Sequence, residues 1–185
     1  MPNRERRPSV VLQGFIGGVV NTADAASRLA QVMLGRLVGQ RRLARCLPLQ
    51  VQDRGDRWSL SGSGGDRPSE CRIEIDKLDA TVLSLGVPTP PEILSDAATA
   101  QKFAAILAET AGDGAGSEQH WRCAVTDRGN TWLVRCRSNI TPAIEGQGPF
   151  RLEVQKRDAQ VLDIWFEWHV DAPPEVDELL RTTKE

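Results

Sequence analysis

The octapeptide "VQDRGDRW", Val51 to Trp58, returns as "VTDRGNTW", Val125 to Trp132. An internal repeat constrains a chain more tightly than composition does, because whatever unit the first copy builds the second must build again. At this offset of 74 residues the upstream segments fall into line as well. Leu29, Ala30, Val32 and Met33 map onto Phe103, Ala104, Ile106 and Leu107, at the spacing that gives a helix one apolar face, with Arg28 and Lys102 on the same outward position. Each segment opens on capping residues, Asn21 and Thr22 in one and Ser95 and Asp96 in the other. Their side-chain oxygens can satisfy the free N–H groups of a first helical turn.

The strands obey a stricter test, since a slip of one residue would turn every side chain to the wrong face. Leu47, Leu49 and Val51 map onto Trp121, Cys123 and Val125; beyond the turn, Trp58, Leu60 and Gly62 map onto Trp132, Val134 and Cys136. Gly55 and Gly129 supply a residue tolerant of positive φ, and Asp53 and Asp127 can bond their own backbone to start the reversal. Downstream the offset grows to 79, where "RIEIDKLDATVLSLG" from Arg72 matches "RLEVQKRDAQVLDIW" from Arg151. Two alternating strands around a tight turn are expected in each, with Ile73, Ile75, Leu83 and Leu85 matching Leu152, Val154, Leu162 and Ile164 on the core side. The unit is therefore a helix followed by two hairpins, written twice: an α+β fold in which each helix packs on a four-stranded antiparallel sheet. The expected divisions are residues 1–87, a proline-stiffened linker at 88–92 within "GVPTPPE", a second module at 93–172 and a short helix at 173–185. Modules this small are marginal alone, so the two are expected to bury part of each other's surface.

The formal charge of −2 conceals an asymmetry: the chain through Pro90 carries 13 basic and 9 acidic residues, the remainder 10 and 16. No long basic cluster interleaved with aromatics appears, which argues against nucleic acid as a partner, and the acidic half suits a basic protein partner or a plain solvated surface. No stretch is long and apolar enough to span a bilayer. Cys46, Cys71, Cys123 and Cys136 lack metal-ligand spacing and fall near apolar strand positions, so they read as small core residues in a reducing cytoplasm, with disulfides as the alternative. The opening "MPNRERRPSVVLQGFIGGVV" has a basic head and an apolar stretch, but Gln13 and the glycines break it up as a secretion signal.

The order "NTADAASRLAQVML", "DRGDRWSLSGSGG", "RIEIDKLDATVLSLG", repeated as "AATAQKFAAILA", "DRGNTWLVRC", "EGQGPF", "RLEVQKRDAQVLDIW", resembles the NTF2-fold immunity protein family. These are small bacterial proteins that neutralise toxins of contact-dependent and type VI secretion systems. The resemblance implies two tandem NTF2/cystatin-like modules with curled sheets, and a cytoplasmic protein that binds one cognate toxin and blocks it sterically, without cofactor, metal or turnover. The family's last turn carries Gly where this chain has Ala80 and Ala159, and the family module is single where this chain has two.

His120 and His169 are the sole histidines. His169 lies near Asp163, Glu167 and Asp171, which would suit an acid–base pair in an NTF2-like ligand-binding or enzymatic domain, but no nucleophile or phosphate loop stands nearby. A structural dimerisation module is a third possibility. In "VLDIWFEWHV" the even positions Leu162, Ile164, Phe166, Trp168 and Val170 are expected to face the core, leaving Asp163, Trp165, Glu167 and His169 outward. An outward Trp among carboxylates, continued by Glu175, Asp177 and Glu178, forms the expected surface for the partner, unless Trp165 packs beneath the other module or the C-terminal helix.

Overall fold

The computed structural model describes residues 18–64, 71–111, 121–138 and 150–166. Helix α1 (Ala23–Val38) begins where Thr22 Oγ1 accepts a hydrogen bond from Ala25 N at 3.2 Å. Gly39, at φ 86°, ends it and admits a short helix α2 (Gln40–Cys46), which the repeat gave no reason to expect. Strands β1 (Leu49–Asp53), β2 (Arg57–Gly62), β3 (Arg72–Asp76) and β4 (Val82–Leu85) then form an antiparallel meander in the order β1-β2-β3-β4. Leu47 is not part of β1; it follows α2 and is exposed.

The second copy follows the same plan. Helix α3 (Ala97–Ala111) is capped by Asp96, whose Oδ1 accepts from Thr99 N at 2.8 Å, the position that Thr22 holds in the first copy. Burial pushes the Asp96 carboxyl up, but bonds from the Thr99 backbone and hydroxyl and from Arg36 outweigh it, and the pKa lies below the usual carboxylate value. Strands β5 (Trp121–Asp127), β6 (Thr131–Ser138), β7 (Phe150–Gln155) and β8 (Val161–Phe166) make the second meander, in the order β5-β6-β7-β8. Among the described residues no helix is long and apolar enough to cross a membrane.

Trp58 and Trp132 occupy matching environments, both 7% exposed. The indole of Trp58 donates to Val20 O at 2.8 Å, and that of Trp132 donates to Leu94 O at 2.7 Å. Lys77 lies over the first ring at 4.2 Å and bonds Asp53 at 2.6 Å; Lys156 lies over the second at 4.1 Å and bonds Asp127 at 2.7 Å. The lysine first, and then the N–H of Gly55 or Gly129, hold both aspartates below their ordinary pKa. The residues ahead of each helix belong to the motif: Val19 N and Val20 N donate to Leu78 O and Lys77 O, as Ile93 N and Leu94 N donate to Arg157 O and Lys156 O. Each tryptophan thus ties the lead-in of its helix to the turn between the last two strands.

A register shift between Glu74 and Ile75, and again between Glu153 and Val154, corrects the assignment of the last strands. Ile75 pairs with Val82 and Ile73 with Leu85; Val154 pairs with Val161 and Leu152 with Ile164. The extra residue of the bulge reverses the alternation on one side of it. Val82 and Val161 therefore turn toward the core in place of Leu83 and Leu162, while Leu85 and Ile164 keep their expected side. In the preceding turns Ala80 and Ala159 adopt φ 61° and 59°, the left-handed conformation that glycine takes most cheaply, and both are fully buried.

The two copies are joined by reciprocal bonds between those turns. Val82 N donates to Asp158 O and Val161 N to Asp79 O, each at 2.8 Å, and Gln160 Nε2 donates to Asp79 Oδ2 at 2.9 Å. Helix α1 packs on α3, and the buried side chains of both copies form one continuous cluster. Arg28, expected to point outward like Lys102, instead reaches Glu109 at 2.6 Å, and the Glu109 side chain is only 4% exposed. A buried carboxylate needs such a partner, and the second helix supplies the demand that the repeat alone does not reveal.

The cysteines are not free. Cys46 bridges Cys71, and Cys123 bridges Cys136, its directly opposed partner across β5 and β6. The two bridges are not equivalents within the repeat. Gly62 occupies the position of Cys136 in the first copy, and a Cβ built there would stand 2.8 Å from Cys46 Cβ and 3.2 Å from Cys71 Cβ. The glycine therefore makes room for the first bridge. Gly62→Ala is expected to cost about 1–3 kcal/mol by overpacking, read from urea denaturation. Because the atoms it would meet are the Cβ atoms of Cys46 and Cys71, which alanine keeps, the cost should persist when both cysteines are replaced by Ala, and an unchanged midpoint in the single variant would contradict the close fit.

Candidate interaction surface

Alternation along the second sheet separates its two faces. Trp132, Val134, Cys136, Phe150, Leu152 and Val154 are buried against α3 and the common core, which turns the residues between them outward. Three successive rows can be read across the strands from the pairing. Arg122 faces Arg137; Ala124, Arg135, Arg151 and Trp165 form the next row; Thr126, Leu133, Glu153 and Asp163 form the third.

Trp165 is 49% exposed, the most exposed large apolar side chain among the described residues, and lies on the outward side of β8. Asp163 is on the same side and half-buried, its carboxylate held by Arg151 at 3.2 Å. Glu167, His169, Glu175, Asp177 and Glu178, as well as His120, Phe166's side chain and the expected C-terminal helix, lie outside the described residues. Among the described residues, then, the immediate neighbour of Trp165 is an arginine rather than a carboxylate. Arg128 lies 3.8 Å from Glu153, so both acids of the third row have a basic partner.

Sequence reasoning missed the arginines. Arg122, Arg135, Arg137 and Arg151 are all exposed on this one face. Part of the signal was available: "LVRCRS" places Arg135 and Arg137 two apart in a strand, on the side away from Val134 and Cys136. Leu133 is also on the outward side yet only 2% exposed, and it stands apart from the main core cluster.

A groove of about 510 Å³ lies between α1, α2 and the start of α3, with Val32, Arg36, Leu43, Leu47 and Lys102 among its walls. Arg36, in its wall, pairs with Asp96 at 2.9 Å. Among the described residues no three His, Cys, Asp or Glu side chains gather as a metal site would require. Compared with protein-family models, curated proteins and solved structures, the chain matches none.

Proposed function

We propose that the chain is an immunity protein that binds a cognate secreted antibacterial toxin and blocks it sterically, without cofactor or turnover. The observation that carries this reading is Trp165: 49% exposed on a sheet face, in a chain that buries Trp58 and Trp132 to 7%. A large aromatic kept in solvent beside an arginine, Arg151, has the composition of a protein-binding hot spot. The resemblance of the repeated helix-and-meander order to NTF2-fold immunity proteins supplies the toxin, and each module is proposed to share their curled NTF2/cystatin-like sheet. The cytoplasm was the expectation for free thiols; two disulfides suit an oxidising compartment instead, and we place the protein's action there.

The test is protection. Cells expressing the toxin encoded beside this gene are expected to survive when this protein is co-expressed in the same compartment, and Trp165→Ala is expected to weaken both survival and co-purification while leaving the melting temperature unchanged. Failure of the intact protein to protect would sink the proposal.

A further inference from the structure

The outward face of the second sheet carries positive charge that its strands do not need. Arg122 stands opposite Arg137 and Arg135 opposite Arg151, so two like-charged pairs face each other directly across neighbouring strands. Such pairs destabilise a sheet. Among the described residues no carboxylate forms an ion pair with Arg122, Arg135 or Arg137, whereas Arg151 is engaged by Asp163. The fold does not require Arg122, Arg135 or Arg137: at their places in the repeat the first sheet has Pro48, Ser61 and Ser63, and Gly86 stands in place of Trp165, while Arg151 alone keeps its arginine, as Arg72.

We infer that this face docks an acidic, carboxylate-rich segment of the partner protein, with Arg122, Arg135 and Arg137 receiving its carboxylates and Trp165 covering an apolar side chain beside them. The inference rests on the proposed function's reading of this face as a binding surface, and it reverses the charge that the sequence suggested for the partner. Three features favour a polypeptide over a nucleic acid. The whole chain is acidic, at −2, so a long polyanion is repelled beyond the patch while a short acidic segment within a Debye length of about 8–10 Å is attracted. Among the described residues a single exposed tryptophan, Trp165, lies on this face, and one ring offers no platform for successive bases. Arg135 and Arg137 are two residues apart on one strand, roughly 7 Å, which is the repeat of same-side carboxylates along an extended peptide. Guanidinium forks bind such carboxylates in two-point fashion.

The full chain, with its bridges intact, is titrated by fluorescence anisotropy against a fluorescein-labelled alternating Glu-Ser peptide, the matching Lys-Ser peptide and an oligouridylate of equal charge. Salt-sensitive binding of the Glu-Ser peptide alone is expected, weakened roughly tenfold or more by Arg135→Glu or by Arg137→Glu. Each of those variants is expected to melt no lower than the parent, because each converts a like-charged cross-strand pair into an opposite one. Binding lost without loss of stability separates a recognition role from a structural one. Preference for Lys-Ser, tighter binding of the oligouridylate, or no binding to any probe would overturn the inference. If toxin is neutralised yet the Glu-Ser peptide does not bind, the charge assignment alone fails; if the peptide binds and no protection is found, the immunity function alone fails.

Discussion

Trp132→Ala is expected to lower the unfolding free energy by about 3–5 kcal/mol, a large share of the roughly 5–15 kcal/mol that holds a domain folded. The ring is 7% exposed in the common core, its N–H satisfies Leu94 O at 2.7 Å, and Lys156 rests on its face at 4.1 Å. Truncation opens a cavity, leaves that carbonyl without its donor and removes the surface that positions Lys156 for Asp127. Trp132→Phe keeps much of the ring and loses the donor, so about 1–2 kcal/mol is expected from that variant. Trp58 has the same three interactions, with Val20, Lys77 and Asp53, and Trp58→Ala should cost a similar amount. Urea denaturation of the variants gives these differences directly. A loss below about 1 kcal/mol at either tryptophan would mean that the two copies do not share one load-carrying scaffold.

Those tryptophans were legible in the sequence because duplication supplies a control that a single unit lacks. Trp58 and Trp132 keep their place, as do the turns at Gly55 and Gly129 and the caps at Thr22 and Asp96, since each sits where a strand period or a helix start has one allowed residue class. The bulges were not legible. Val82, Leu83 and Leu85 are all apolar, as are Val161, Leu162 and Ile164, so a one-residue change of alternation leaves no trace in hydrophobicity. Helix α2 was hidden for a different reason: with Leu43 and Cys46 as its only buried residues, seven residues cannot display a helical period. The expected docking surface suffered most, because what surrounds Trp165 depends on pairing. Arg151 lies 14 positions earlier in the chain but directly across from it, and Arg135 lies one strand further on. Local sequence around Trp165 shows Asp163 and Glu167; the folded sheet puts Arg151 directly across from it. Charge at a sheet surface is set by register, and register across a hairpin of unequal loops is not readable from a neighbourhood of residues.

Reduction of both disulfides is expected to remove about 6 kcal/mol of stability in total if closure entropy governs the effect. Cys46 and Cys71 are separated by 25 positions and Cys123 and Cys136 by 13, for which the chain-entropy relation gives about 3.5 and about 3 kcal/mol. The second bridge acts within a hairpin already paired from Trp121 to Asp127, whereas the first ties the end of α2 to the start of β3 and has no ladder beside it to share the work. Replacing Cys46 and Cys71 together is therefore expected to lower the melting temperature at least as much as replacing Cys123 and Cys136 together, each by roughly 6–12 °C for a chain of this size. Reductant should reproduce the sum of the two shifts in the parent and change nothing in the variant lacking all four cysteines. Alkylation before reduction should modify none of the four thiols in protein taken from an oxidising compartment, and all four afterwards. A parent protein whose melting temperature ignores reductant, or whose thiols alkylate at once, would return the cysteines to simple core residues and move the proposed site of action back to the cytoplasm.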